Sequence, residues 1–229
     1  MSGFLERLPD IIVQLLAFAL AISLHESAHG WMAERLGDPT ARWLGRITLN
    51  PIKHVDLFGT ILFPLLLAVV GAPVIGWAKP VPFVTRNLRN QRWGPALVAL
   101  AGPVSNLLLM AGVTFTLLVA KVLVPDFRGL LQAALSQGAA GAPGVVASFL
   151  GLLFWIAAIN LVLAVFNLVP IPPLDGSHVL FALLPGRWSE QVAMVRRYGM
   201  ILLFLLLWTG LFGRLLGPFL HVLVWILLS

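Results

Sequence analysis

Residues 11–31 read IIVQLLAFALAISLHESAHGW, and the reading of this stretch decides the fold. From Ile11 to Leu24 only Gln14 and Ser23 are polar, and then His25, Glu26 and His29 arrive within a turn and a half. Ile11 to Ser23 has the length of a signal-peptide core, and small residues follow it. The polar cluster nevertheless continues the same helical pattern without a break, so the stretch reads as a retained transmembrane helix. About 20 residues cross the hydrocarbon of a bilayer, and 11–31 supplies them. Ionisable groups inside such a span are costly, which makes this cluster a functional site by default.

The rest of the chain agrees with a membrane setting. Of 229 residues, 59% are hydrophobic and 10% charged. Mean hydropathy is +0.96. Soluble domains carry about 25% charged residues, so a water-soluble globular protein is excluded. There is no cysteine, which excludes disulfides, thiolate metal sites and Cys nucleophiles. Further apolar stretches run over Leu57–Ala72, Gly94–Val124, Val145–Val169 and Gly199–Leu228. The last is interrupted by Gly210, Gly213, Arg214, Gly217 and Pro218, and is either one tilted helix or a hairpin of two short ones. The expected fold is an all-α integral membrane protein of about five to six transmembrane helices. One domain over residues 1–229 is expected, with its core at 10–185 and a C-terminal helical segment at 194–229.

The net charge of +6 fits basic loops at an anionic membrane face better than nucleic-acid binding. Arg35, Arg42, Arg46 and Lys53 crowd segment 34–56; Lys79, Arg86, Arg89 and Arg92 crowd 73–93; Arg187, Arg196 and Arg197 mark 185–198. Segment 121–144 has only Lys121 and Arg128, beside Asp126. The positive-inside rule puts the first three loops in the cytoplasm and the fourth outside. If 34–56 and 73–93 share a side, Leu57–Ala72 must dip into the bilayer and return as a re-entrant segment.

His25-Glu26-Ser27-Ala28-His29 is an HExxH sequence. Residues i and i+4 of a helix lie one above the other, so both imidazoles can grip one metal ion while Glu26 stands beside it as a base. A catalytic metal site needs a third protein ligand. Glu34 falls on another helix face and Glu190 in a polar loop. His54, Asp56, Asp175 and His178 remain, and Asp175 is the strongest. It ends the run Asn167-Leu-Val-Pro-Ile-Pro-Pro-Leu-Asp175-Gly176, whose prolines break the helix beside a cavity or buried protein.

HExxH on one membrane helix and N-x-x-P-x-P-x-L-D-G on a later one resemble the site-2 protease family of intramembrane zinc metalloproteases. Asn50-Pro51-Ile-Lys-His54-Val-Asp56 is similar to the N-P-x-x-H-x-D element of its small bacterial branch. Gly76-Trp77-Ala78-Lys79-Pro80-Val81-Pro82 and Ala101-Gly102-Pro103-Val104-Ser105-Asn106 also resemble elements of that branch. The resemblance covers residues 20 to 185. It implies one Zn²⁺ held by His25, His29 and Asp175, with Glu26 as catalytic base and Asn167 steadying the substrate carbonyl or oxyanion. It further implies a transmembrane protein substrate, a cell inner (plasma) membrane location, and an active site near the cytoplasmic face. A homo-oligomer is compatible with the sequence.

Other polar residues have two readings each. His54 is a ligand, a partner of the site or a loop residue that orders Asp56; His178 faces the metal or is structural; His221 is structural. Asn106 either packs helices or touches substrate. Segment 76–83 is a short extended or β element that either pairs with an extended substrate or forms an interfacial loop. Rival functions are a metal transporter, a protease with glutamate as third ligand, and an inactive binding relative. Transport predicts polar residues spread along a path, whereas here they gather at one depth.

Overall fold

A bilayer offers backbone N–H and C=O groups no partner, so apolar runs must satisfy their own hydrogen bonds, and they do so as helices. The computed structural model describes residues 2–69 and 77–229. Helix α1 spans Ser2–Arg35 and the short α2 spans Thr40–Trp43. A six-residue π-type turn, Leu57–Leu62, runs into the seven-residue α3, Phe63–Val69. Then come α4 (Gly94–Leu123), α5 (Phe127–Gly141), α6 (Val145–Leu168), α7 (Asp175–Leu183), α8 (Ser189–Trp208) and α9 (Leu211–Leu228).

Four stretches are long and apolar enough to cross a membrane: Leu8–Arg35, Gly94–Leu123, Val145–Leu168 and Leu211–Leu228. The expected five to six is not confirmed among the described residues. Of the stretch Leu57–Ala72, the Leu57–Leu62 turn and α3 fall among them, and residues 70–72 do not. The last apolar stretch is divided at Gly210, which takes the left-handed conformation (φ +68°) open mainly to glycine and separates α8 from α9. Helix α8 also carries Arg196 and Arg197 in its first half.

Helix α4 is central and packs against α1, α6 and α7. At one end of the bundle, Leu117 of α4, Phe127 and Leu131 of α5, Leu150 and Phe154 of α6, and Leu223 of α9 form a core cluster. Elsewhere the helices close on small residues: Ala17 and Ala21 of α1 and Ala157 and Ala164 of α6 are fully buried. Small side chains let backbones approach where lipid supplies no hydrophobic drive.

The chain between α6 and α7 holds Pro170, Pro172 and Pro173, which end α6, so that Asp175 opens α7. Gly176 is required there. A Cβ on it would collide with the backbone carbonyls of Leu168 and Val169.

Trp77–Val84 is neither helix nor strand, and the expected β element is corrected to an extended strap with no ladder partner among the described residues. Its N–H groups reach loop carbonyls and carboxylates: Trp77 donates to the Gly59 carbonyl (3.0 Å), Lys79 to that of His54 (2.9 Å), and Val84 to Asp38 (2.5 Å). Pro80 and Pro82 have no N–H, so the strap cannot build a regular ladder on its other edge. Gly76, and the part of the expected re-entrant segment at 70–72, lie outside the described residues.

Candidate metal centre

His25 and His29 project from one face of α1, rings edge to face with centroids 4.5 Å apart. Both are buried, and each ring has its Nδ1 taken. His25 Nδ1 lies 2.6 Å from Asn106 Oδ1, and His29 Nδ1 lies 2.7 Å from the Val98 carbonyl oxygen, both on α4. A carbonyl only accepts, so His29 carries its proton on Nδ1. The Asn106 amide nitrogen donates to the Ala21 carbonyl (3.2 Å) and to Asn160 Oδ1 (2.7 Å), which turns its oxygen to His25. Both Nε2 atoms therefore present lone pairs, the form that binds metal.

The third atom is Asp175 Oδ2, 3.1 Å from His25 Nε2 and 3.3 Å from His29 Nε2. It is buried and receives no hydrogen bond. Three acceptor atoms converging without a proton between them form a cradle for a cation. All three lie within 4.8 Å of one another. A tetrahedral ion with bonds of about 2.0–2.1 Å has ligand–ligand edges of about 3.3 Å, and the two N···O separations match that edge. Room for the cradle comes from α4. A Cβ on Gly102 would stand 2.5 Å from His29 Nε2 and 2.6 Å from His25 Cε1.

Glu26 lies between the two histidines in sequence, and its Oε2 accepts the Val81 N–H of the strap at 2.9 Å. That bond fixes one carboxylate oxygen. Arg46, buried, donates to the carbonyls of Lys53, Lys79 (2.8 Å) and Pro80 (3.1 Å), holding the strap one residue before Val81.

Among the described residues, the other His and Asp candidates do not join the three donor atoms. His54 is fully buried, with Nε2 2.8 Å from the Thr48 carbonyl oxygen and 3.5 Å from Ser27 Oγ, so it braces the loop against the HExxH turn. Asp56 caps the turn that leads to α3, accepting from the Gly59 N–H at 2.7 Å. His178 lies one turn past Asp175 on α7, and burial, then Arg196, pushes its pKa down. Asn167 donates to the Leu163 carbonyl of its own helix at 3.0 Å. His221 Nδ1 contacts the Gly217 carbonyl at 3.0 Å. Sequence reading missed Asn160 and Arg46. An amide in the middle of an apolar helix, a turn or more from any motif, was the available signal for Asn160.

The model of peptidase family M50 matches residues 13–207. The chain belongs to peptidase family M50. Curated relatives agree with the M50 assignment. "Putative zinc metalloprotease YwhC" of Bacillus subtilis is 38% identical over 217 residues, covering 95% of this chain and 88% of its own. "Putative zinc metalloprotease Rip2" of Mycolicibacterium smegmatis is 28% identical over 203 residues, covering 89% and 69%. The Rip2 of Mycobacterium tuberculosis strain H37Rv is 28% identical over 239 residues, covering 98% and 81%. No solved structure gives a significant match. This M50 chain is a metalloprotease with several membrane-crossing helices.

Proposed function

We propose that the chain is an intramembrane zinc endopeptidase that hydrolyses peptide bonds in or near transmembrane segments of membrane proteins. The observation that carries this reading is the convergence of His25 Nε2, His29 Nε2 and Asp175 Oδ2 on one point among apolar helices. Two imidazoles and a carboxylate suit Zn²⁺, and the third ligand leaves a fourth position open. Held in that cradle by His25, His29 and Asp175, zinc would supply Lewis acidity and would lower the pKa of a water to about 7.

The chain's own residues do the rest. Glu26 takes the proton of the attacking water on Oε1 and delivers it to the leaving amine, while the Val81 N–H keeps Oε2 in place. Asn167 offers the oxyanion its second amide N–H, the first being engaged by Leu163. His54 and His178 stand outside the donor set and shape its surroundings. Residues 1–229 act as one catalytic unit.

Four helices cross, and the stretch Leu57–Ala72 dips into the bilayer and returns. The contacts of α1 near His29 with α4 near Val98 support one side for both ends, and so a re-entrant path between them. The charge bias puts that side, and the site, at the cytoplasmic face of the inner membrane.

The test is metal analysis of purified protein alongside cleavage of a transmembrane peptide. Glu26→Gln is expected to keep one zinc per chain and lose 10²-fold or more of the rate. His25→Ala and Asp175→Ala are expected to lose both. Full zinc retention by Asp175→Ala would assign the third ligand elsewhere, and cleavage by Glu26→Gln at wild-type rate would remove the base.

A further inference from the structure

The geometry points to Asn160 as a positioning residue that, through Asn106, fixes the tautomer of His25 and so the zinc affinity of the site; this rests on the metalloprotease reading above. Asn160 sits in the middle of α6, away from the ligands, and is fully buried. A buried amide in an apolar helix must satisfy both of its ends or lose several kcal/mol. Its Nδ2 donates to the Ile156 carbonyl of its own helix at 2.8 Å. A backbone carbonyl can only accept, so the Asn160 amide has one permitted orientation, with Oδ1 facing α4.

That oxygen then dictates the next group. It lies 2.7 Å from Asn106, which must present its NH₂ there, and the Ala21 carbonyl at 3.2 Å demands the same face. With NH₂ committed twice, Asn106 Oδ1 is turned to His25 Nδ1 at 2.6 Å and accepts its proton. The lone pair of His25 is thereby assigned to Nε2, 3.1 Å from Asp175 Oδ2. Without Asn160 the Asn106 amide loses one of its two NH₂ partners, and the flipped amide would favour the tautomer with the proton on Nε2. That tautomer cannot bind the metal. His29 needs no such relay because a backbone carbonyl does the work directly.

The experiment measures zinc affinity by chelator competition on the full chain in detergent, without reference to cleavage. Asn160→Leu, branched at the same carbon and without an acceptor, is expected to bind zinc 10–100-fold more weakly, the usual cost of losing a hydrogen-bond partner behind a metal ligand. Asn160→Asp, protonated at this buried apolar site, keeps the acceptor oxygen and a donor for the Ile156 carbonyl, and is expected to stay close to wild type. Asn106→Ala combined with Asn160→Leu is expected to bind no more weakly than Asn106→Ala alone, since residues in series are not additive. Imidazole ¹⁵N shifts of the metal-free wild type at alkaline pH, assigned with His25→Gln, are expected to show His25 protonated on Nδ1. This reading does not depend on any Asn160 variant folding. Wild-type affinity in Asn160→Leu, additive losses in the double variant, or a His25 proton on Nε2 would each overturn the relay. A wild type that binds no zinc would instead overturn the metalloprotease reading.

Discussion

Gly102 is the residue at which the site is most easily broken without touching a ligand. An added Cβ would lie 2.5–2.6 Å from atoms of both His25 and His29, far inside any normal contact. One ring, or α4 itself, would have to move. Gly102→Ala is therefore expected to lower zinc affinity at least tenfold, in line with other disturbances around metal ligands. Gly112 on the same helix faces open space. Gly112→Ala is expected to leave zinc binding unchanged and to gain up to ~1 kcal/mol of helix stability. Chelator titration and thermal unfolding of the pair give the comparison, and equal zinc affinities would mean that the rings tolerate the methyl group.

Among the elements, the strap Trp77–Val84 owes its place to polar anchors rather than to a sheet. Asp38, fully buried just after α1, accepts from the Thr40 hydroxyl (2.5 Å), the Asn87 amide (2.9 Å) and the Val84 N–H (2.5 Å). Burial pushes the Asp38 carboxyl up, but these hydrogen bonds outweigh it and hold its pKa below the ordinary value. The sign follows from proton linkage. An unfolded chain binds the proton more readily, so the stabilisation is complete above the unfolded pKa of about 3.9 and is lost as pH falls through the folded value. Asp38→Asn is expected to cost about 1–3 kcal/mol at neutral pH. The gap in unfolding temperature between wild type and variant should close in acid, and a constant gap across that range would count against the anchor.

The same elements show what the sequence made legible. His25, Glu26 and His29 stood out because charge inside an apolar helix is expensive, and Asp175 because three prolines precede it. The short extended element was foreseen in position but not in its partners, which are single groups scattered over residues 26–60 and not a strand, and no local pattern encodes them. Arg46 counted only as a loop charge, and Asp38 was not singled out. Their burial depends on where distant carbonyls and N–H groups arrive, and the chain itself does not print that.

At the scale of the molecule, α1 and α4 meet near the site, and the proposed topology has the 36–93 connection start and end on one side. The chain has no cysteine, which makes each introduced thiol a clean reporter. Lys53→Cys, Arg86→Cys and Arg187→Cys, all at exposed positions, are expected to react with an impermeant maleimide from the same side, and Arg128→Cys from the opposite one. Opposite labelling of Lys53→Cys and Arg86→Cys would make the segment between them a true crossing.

The donor atoms ride on α1 and α7, yet the imidazoles take their aim from α4, through the Val98 carbonyl and Asn106. Grafting the five-residue signature onto an unrelated membrane helix would thus transfer the letters without the instrument. A protein engineer seeking a minimal version would have to carry over three helices at once, and sliding the middle one by a single turn would blind both rings while leaving every ligand intact.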